Sequence, residues 1–162
     1  MCSELYAISH RCVEILRKHG KRIALAESCT GGLIAKCITD HSGASDVFDC
    51  GVVSYSGKIK HKLLGVTKMT LDTYGEVSAE TAQEMACGIV ALGNADFGVG
   101  VTGIAGPTGA TPDKKVGLIY VSIIYNKTVS VFKLELYEDM SREKRREKTA
   151  IFVFSKIIEL LS

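Results

Sequence analysis

A serine that can act as a nucleophile lies in residues 26–32, which read AESCTGG and separate an apolar run from a stretch typical of a helix. Two glycines follow Ser28 in this turn, so backbone N–H groups converge where the helix dipole is positive. Such a turn can hold an anionic ligand group, or it can stabilise the oxyanion formed when the serine attacks a carbonyl. It can equally be a helix N-cap without chemistry. Cys29 is a rival nucleophile, and the local pattern does not choose between the two side chains.

A nucleophilic serine needs a base, and the lysines of residues 58–62 are the candidates. The four histidines are expected on a helix surface, in a loop or beside this basic run, where they serve poorly. A lysine acts as a base when burial or a nearby positive charge keeps it neutral. On a helix, Lys58 and Lys62 lie near one face and Lys60 lies about 200° from Lys58. Lys60 can therefore turn inward, although the spacing alone favours three solvated side chains.

Two further segments can contact an anionic ligand. Residues 102–109 read TGIAGPTG, and their small side chains let the backbone approach a phosphate or a sugar closely. They do not form a P-loop, because no Gly-Lys-Ser/Thr ending follows, and a flexible turn is the alternative. A basic cluster at residues 142–146 is most simply a solvated helix face. One of its arginines can still turn inward, because a guanidinium group matches a phosphate with two parallel hydrogen bonds.

The elements that must position these segments follow from periodicity and turn signals. Helices are predicted over 5–16, 33–39, 59–64, 78–94 and from about 141 to the end, and strands over 22–26, 47–54, 97–101, 116–125 and 128–136. The last two strands flank Asn126 and Lys127, which predicts a hairpin. The order predicts an α/β fold, a three-layer α/β/α sandwich with a mixed sheet, in a single domain over 1–162. Ligands gather at the carboxyl ends of strands, where the serine turn, Tyr55 and the loop from Thr102 lie.

Composition narrows the class of protein further. The 162 residues are enough to bury a substantial core, and a net charge of +2 is too small to indicate a nucleic-acid or anionic membrane partner. The six cysteines contain no C-x-x-C pair, so they indicate neither a zinc site nor a disulfide framework. No apolar run is long enough to cross a bilayer. We therefore expect a cytoplasmic protein with mostly buried free thiols and no bound metal.

Four motifs along nearly the whole chain carry a family resemblance. They are AESCTGG at 26–32, GVVSYS at 51–56 with Lys60 and LGV at 64–66, GEVS at 75–78, and TGIAGP at 102–107. In content and order they resemble the CinA C-terminal domain family, in the form of its stand-alone PncC-type nicotinamide-nucleotide amidases. The molybdopterin-binding-like domain of longer CinA proteins has no counterpart among these motifs. The resemblance implies hydrolysis of the carboxamide of nicotinamide mononucleotide (NMN) to nicotinate mononucleotide and ammonia, in pyridine nucleotide salvage.

The resemblance also implies the site residues. Its nucleophile falls on Ser28 and its general base on Lys60, with Tyr55 beside them as part of the catalytic set. Substrate contacts are expected from both site loops: Thr30, Gly31, Gly32, Thr102, Gly103, Ala105, Gly106 and Arg145. Within these sets, the N–H groups of residues 30–32 are expected to hold the oxyanion, and Arg145 is expected near the phosphate. A small nucleotide is the implied partner, in a homo-oligomer that needs no cofactor.

One departure from the family pattern bears on affinity. Family members often carry a Gly-Asp-Arg run before the last helix, whereas residues 138–141 read EDMS here, with Ser141 where we align the arginine. The substrate preference can therefore differ in this chain. This departure keeps a second interpretation open, in which the protein is a non-catalytic nucleotide-binding or regulatory module.

Overall fold

A mixed sheet flanked by helices forms the frame of the fold in the computed structural model, which describes residues 2–137 and 139–162. Within these residues the strands are β1 (Ile23–Glu27), β2 (Phe48–Val53), β3 (Phe97–Gly103), β4 (Leu118–Tyr125) and β5 (Thr128–Glu135). The α-helices in the same residues are α1 (Ser3–Lys18), α2 (Leu33–Thr39), α3 (Gly57–Leu64), α4 (Lys68–Tyr74), α5 (Ala79–Gly93) and α6 (Arg142–Leu161), and a short 3₁₀ helix spans Ala44–Asp46. The predicted α/β class is confirmed.

The strand order of the sheet is β2-β1-β3-β4-β5. Strand β1 pairs in parallel with both β2 and β3, whereas β3–β4 and β4–β5 are antiparallel. The predicted hairpin is present, with Tyr125 opposite Thr128 in the register. Both turn residues, Asn126 and Lys127, have positive φ, as a two-residue turn between twisted strands requires. The mixed sheet predicted from the sequence is therefore confirmed.

Side chains of the sheet enter two separate cores, which makes the fold three layers deep. Leu25 of β1 belongs to the larger core, which it shares with apolar residues of α1, α2 and α6. Its neighbours Ala24 and Ala26 face the other side and pack with Met85 of α5. Helix α5 comes very close to β3, because a Cβ atom added at Gly100 would lie 2.2 Å from the Ala82 carbonyl oxygen. Glycine in β3 thus sets the distance between helix and sheet.

Helix α4 is the element that periodicity did not predict. Its N-cap is Thr67, whose side chain accepts a hydrogen bond from the Thr70 N–H. Glu84 of α5 completes this end, since its carboxylate accepts from the Thr67 N–H at 2.6 Å and from the Thr70 hydroxyl at 2.6 Å. Part of what stabilises this helix therefore comes from Glu84, outside its own segment. The apolar periodicity of residues 68–74 alone does not predict it.

Candidate active site

A cleft of about 310 Å³ opens at the carboxyl ends of β1, β2 and β3. Its walls come from the turn after β1, from Tyr55 after β2, from one residue of α3, from residues 76–77, from the loop over 102–109 and from the start of α6. These segments include the three loops that the sequence places at this edge of the sheet. Parallel strands bring their carboxyl ends to one rim, which explains why segments far apart in the chain meet there.

Ser28 and Lys60 lie together at the base of this cleft. The Lys60 Nζ is 3.0 Å from the Ser28 Oγ and 2.8 Å from the Ser54 carbonyl oxygen. A third neighbour, the Glu76 carboxylate, has Oε2 at 3.5 Å. Apart from its bond to Cε, the lysine nitrogen has three tetrahedral positions, and it has three partners here. An ammonium fills all three positions with N–H donors, whereas a neutral amine has a lone pair that can accept the Ser28 proton. The pair is arranged for proton transfer.

Lys60 is the lysine of its helix that turns inward. It has no exposed surface, whereas Lys58 and Lys62 are exposed. Burial lowers the pKa of Lys60 below the 10.5 of an ordinary lysine, because desolvation penalises the ammonium form, and the negative charge of Glu76 opposes that shift. The neutral form that a general base requires is thus made more accessible.

Cys29 is a poorer nucleophile than Ser28 in this setting. It is 5% exposed, and burial raises the pKa of its thiol to about 12. A thiol with such a pKa stays protonated at neutral pH, and thiolate is the reactive form. Among residues 2–137 and 139–162 the lysine amine at this turn lies at hydrogen-bond distance from the Ser28 hydroxyl. Chemistry at this turn therefore favours the hydroxyl over the thiol.

The turn after Ser28 is closed by an internal carboxylate instead of a ligand. Glu27 is 1% exposed, and its carboxylate accepts hydrogen bonds from the N–H groups of Gly32 (3.0 Å), Ile34 (3.3 Å) and Ala35 (2.9 Å). The Gly31 N–H donates to the Ser28 carbonyl oxygen at 3.1 Å. The Gly31 and Gly32 N–H groups, which were expected to hold an oxyanion, therefore both have internal acceptors in this structure.

Thr30 also has a structural position. It is fully buried, and its carbonyl oxygen accepts from Arg146 Nε at 2.9 Å and Nη2 at 2.6 Å. Together with Gly31 and Gly32 it lies outside the wall of the cleft. The backbone bonds of Thr30 and Gly32 join the turn to α6 and to β1. The structure does not place any of the three predicted substrate contacts in the wall of the cleft.

Arg142 is the arginine that lines the cleft among the described residues, whereas the predicted Arg145 contacts the cleft wall from behind. Arg142 donates from Nη1 to the Gly106 carbonyl oxygen at 2.8 Å and from Nη2 to the Tyr55 hydroxyl at 2.9 Å. Arg145 is buried behind the wall of the cleft, where it donates to the carbonyl oxygens of Leu136 (3.0 Å), Met140 (2.6 Å) and the cleft residue Ala105 (3.4 Å). Successive helix residues point about 100° apart, so the way in which α6 packs determines which of its arginines faces the cleft.

The departure noted at Ser141 has a local explanation. Ser141 is the N-cap of α6, where its hydroxyl accepts from the Lys144 N–H at 3.1 Å. The next residue, Arg142, supplies the guanidinium group at the cleft. Of the four residues compared with the family run, Glu138 lies outside the described residues. An arginine is thus present at this wall, one position after our alignment.

The loop after β3 lies where the sequence places it, and it orients a residue that the sequence analysis did not assign. Thr102, Gly103, Ala105 and Gly106 all line the cleft. The Thr102 hydroxyl donates to the Glu76 carbonyl oxygen at 2.6 Å and so anchors the segment that carries Glu76. The GEVS motif at 75–78 contains that glutamate two residues before the helix cap Ser78, which was the available signal for it.

No helix in residues 2–137 or 139–162 combines the length and the apolar character that a membrane span requires.

Several known proteins are similar to this chain in sequence. A Thermoanaerobacter sp. strain X514 protein, whose name carries the words competence-damage inducible, is 57% identical over 134 residues, which are 83% of this chain and 32% of that protein. The CinA-like protein of Kosmotoga olearia is 50% identical over 140 residues, covering 86% of this chain and 34% of that protein. The chain therefore spans about a third of the length of these curated relatives.

Among solved structures, the competence/damage inducible protein CihA from Agrobacterium tumefaciens superposes with a TM-score of 0.95 at 36% identity, covering 100% of this chain and 98% of that chain. A CinA superfamily protein from Klebsiella pneumoniae gives a TM-score of 0.92 at 27% identity, covering 97% of each chain. The model of the CinA C-terminal domain matches residues 5–161. With its motifs, its fold and this match over nearly its whole length, the chain belongs to the CinA C-terminal domain family.

Proposed function

We propose that this chain is a serine–lysine amidase that hydrolyses the carboxamide of NMN to nicotinate mononucleotide and ammonia. The observation that carries the proposal is the 3.0 Å contact between Ser28 Oγ and the buried Lys60 Nζ at the base of an open cleft. A hydroxyl becomes a useful nucleophile only beside a group that removes its proton, and a desolvated lysine is such a group. The family resemblance supplies the substrate.

Acylation begins when neutral Lys60 takes the proton of the Ser28 hydroxyl. Ser28 Oγ then attacks the carboxamide carbon, and the carbonyl oxygen becomes an oxyanion. Since the Gly31 and Gly32 N–H groups are occupied, we assign the oxyanion to the N–H of Cys29, the residue after the nucleophile on the cleft wall. When the C–N bond breaks, the Lys60 ammonium returns its proton to the departing nitrogen, which leaves as ammonia.

Deacylation reverses the roles of the same two groups. Neutral Lys60 takes a proton from water, and the hydroxide attacks the acyl carbon. The bond to Ser28 Oγ breaks, and Lys60 gives the proton back to Ser28. The carboxylic acid so formed loses its remaining proton to solvent and leaves as a carboxylate, and the Ser28–Lys60 pair is ready for another cycle.

Arg142 is suited to bind the phosphate group of the nucleotide. A guanidinium group carries five N–H donors, and the contacts to Gly106 and Tyr55 use one on each terminal nitrogen. These two contacts also hold the group in one orientation at the cleft, which reduces the entropy lost on binding. Tyr55, at 62% exposure, then acts at the mouth of the cleft by positioning Arg142.

Ammonia release from NMN tests the proposal directly. The Ser28→Ala and Lys60→Met variants are expected to lose at least about a thousandfold in kcat, as other enzymes do when a nucleophile or its base is removed. Lys62→Met is the matched control, because Lys62 is an exposed lysine of the same helix, and it is expected to keep wild-type activity. Circular dichroism and thermal melting establish that each variant is folded.

Two results contradict the proposal. Wild-type-like turnover in Ser28→Ala would remove the serine from the mechanism. A wild-type protein that binds NMN in a calorimetric titration and releases no ammonia would support the alternative, a nucleotide-binding or regulatory module.

A further inference from the structure

Glu76 gives the cleft its negative charge. Among the described residues that line the cleft it is the only one with an acidic side chain, and it shares the walls with the basic groups of Lys60 and Arg142. Its side chain is 50% exposed, so one side of the carboxylate is open to a ligand. It is also firmly placed, because its carbonyl oxygen accepts from Thr102 and its side chain lies against Gly57, where an added Cβ would be 3.0 Å from Oε1.

The ion pair with Lys60 leaves this carboxylate with unused capacity. The Oε2–Nζ separation of 3.5 Å is longer than the roughly 2.7–2.9 Å of a tight charge-assisted hydrogen bond. Two carboxylate oxygens offer about four acceptor positions, and Lys60 takes at most one of them at this distance. A second cation can therefore contact Glu76 without displacing Lys60 from Ser28.

Glu76 is close enough to the reacting atoms to contact a substrate ring. Ser28 Oγ and Glu76 Oε2 both contact Lys60 Nζ, at 3.0 and 3.5 Å, so the two oxygens cannot be farther apart than the sum of these distances. An amide carbon must come within about 3–3.5 Å of Ser28 Oγ to react. A six-membered ring attached to that carboxamide is therefore within reach of the carboxylate. A pyridinium ring has a full positive charge there, whereas a benzene or dihydropyridine ring has none.

We infer that Glu76 makes this site selective for carboxamides carried on a cationic ring, with its carboxylate as the counter-ion of that ring. The inference rests on the proposed function and names the feature by which the site distinguishes substrates. It makes Glu76 a specificity residue that acts through charge.

The same contact links substrate binding to the activation of Lys60. In the free protein Glu76 favours the Lys60 ammonium. The other titratable groups that line the cleft with Lys60 are Cys29, Tyr55 and Arg142, and Glu76 is the carboxylate among these described residues. A cationic ring beside Glu76 offsets the one negative charge and lowers the pKa of Lys60, so the bound substrate promotes formation of the neutral base. A neutral ring has no such effect.

Binding measurements in the Ser28→Ala background, where turnover is prevented, test the charge selection. The two ligands are NMN and the 5′-mononucleotide of benzamide riboside, which has the same carboxamide on a neutral ring. Glu76→Gln keeps the size of the side chain and removes its charge. We expect it to weaken NMN binding about tenfold, or about 1.4 kcal/mol, and to change the affinity for the neutral analogue less than about twofold. Glu80→Gln, an exposed glutamate of α5, is the control and should change neither affinity.

The pH profile of kcat/KM with the active serine in place provides a second readout. Removing the carboxylate withdraws an interaction that raises the pKa of Lys60, so the acid limb of the Glu76→Gln profile is expected at lower pH than in the wild type. A merely structural effect would lower the rate at every pH without moving the limb. Thermal melting of the variant establishes that the fold is retained.

Equal weakening of both ligands in Glu76→Gln would overturn the inference, because it would indicate general damage to the cleft. Unchanged NMN affinity in that variant would also overturn it. The proposed function fails separately: a wild type that prefers the cationic ring and releases no ammonia refutes the amidase and still supports charge selection.

Discussion

Glu27→Gln tests how far the nucleophile turn depends on one buried carboxylate. In the wild type, Oε2 accepts from the N–H groups of Gly32 and Ile34, and Oε1 accepts from that of Ala35. Helix α2 has no side-chain cap at its N-terminus, so Glu27 provides what a capping residue would. Glutamine keeps one oxygen and replaces the other with an NH₂ group. Whichever way the amide is oriented, at least one backbone N–H then faces a donor.

The magnitude follows from these three bonds. The best orientation keeps the amide oxygen on Gly32 and Ile34 and leaves the Ala35 N–H unsatisfied, which costs about 1–3 kcal/mol in a buried site. The two remaining bonds lose the charged acceptor, and a neutral hydrogen bond is about half as strong. The loss of a negative charge at a helix N-terminus adds about 0.3–1 kcal/mol. We expect the free energy of unfolding to fall by roughly 2–4 kcal/mol.

Chemical denaturation measures this change, with Glu14→Gln as the matched control. Glu14 is also paired, with Arg17, but its side chain is 53% exposed, so its replacement should cost less than about 0.5 kcal/mol. Ammonia release from NMN should fall in Glu27→Gln through kcat, because small displacements of a nucleophile reduce the rate by up to about a hundredfold. An unfolding free energy within about 0.5 kcal/mol of the wild type would refute the reasoning, since a buried unpaired donor cannot cost so little.

Four further predictions each concern the side chains of one or two residues. The kcat/KM for NMN should fall at low pH, because Lys60 becomes protonated there. The midpoint of this fall is expected below pH 10.5, because burial lowers the pKa of Lys60, and a kcat/KM independent of pH would contradict this. Iodoacetamide at pH 8 should label the exposed Cys87 and spare Cys29, because burial raises the pKa of the Cys29 thiol to about 12. Peptide mass mapping measures the labelling, and preferential labelling of Cys29 would contradict this. Arg142→Lys should raise the KM for NMN about tenfold and leave that for nicotinamide riboside unchanged. Arg145→Lys should instead lower Tm, because the buried Arg145 donates to backbone carbonyl groups, and an equal effect of both variants on KM would oppose the assignment.

Local pattern was sufficient for most of the elements and for the position of the site. The spacing of apolar residues indicates α1, α5 and α6, and the β-branched runs around Asn126 indicate the hairpin of β4 and β5. These signals are local because helices and strands repeat over a few residues. Helix α4 was missed for the opposite reason, since its first turn is completed by Glu84 from another helix.

The amino-acid sequence by itself determined the α/β class, the mixed sheet and the rim at which polar loops gather. It also placed Ser28 on the turn that carries it and, through the family motifs, indicated Lys60 as its partner. Which of three lysines is buried, and which arginine of α6 faces the cleft, was decided only by the tertiary structure. The contact between Lys60 and Ser28 joins residues 32 apart in the chain, and that between Arg142 and Tyr55 joins residues 87 apart. Desolvation depends on such distant contacts, and for that reason no local pattern determines the pKa of Lys60. The acceptors of the Gly31 and Gly32 N–H groups lie three and five residues away, in the same turn and the strand before it, and only the folded turn shows that they are used.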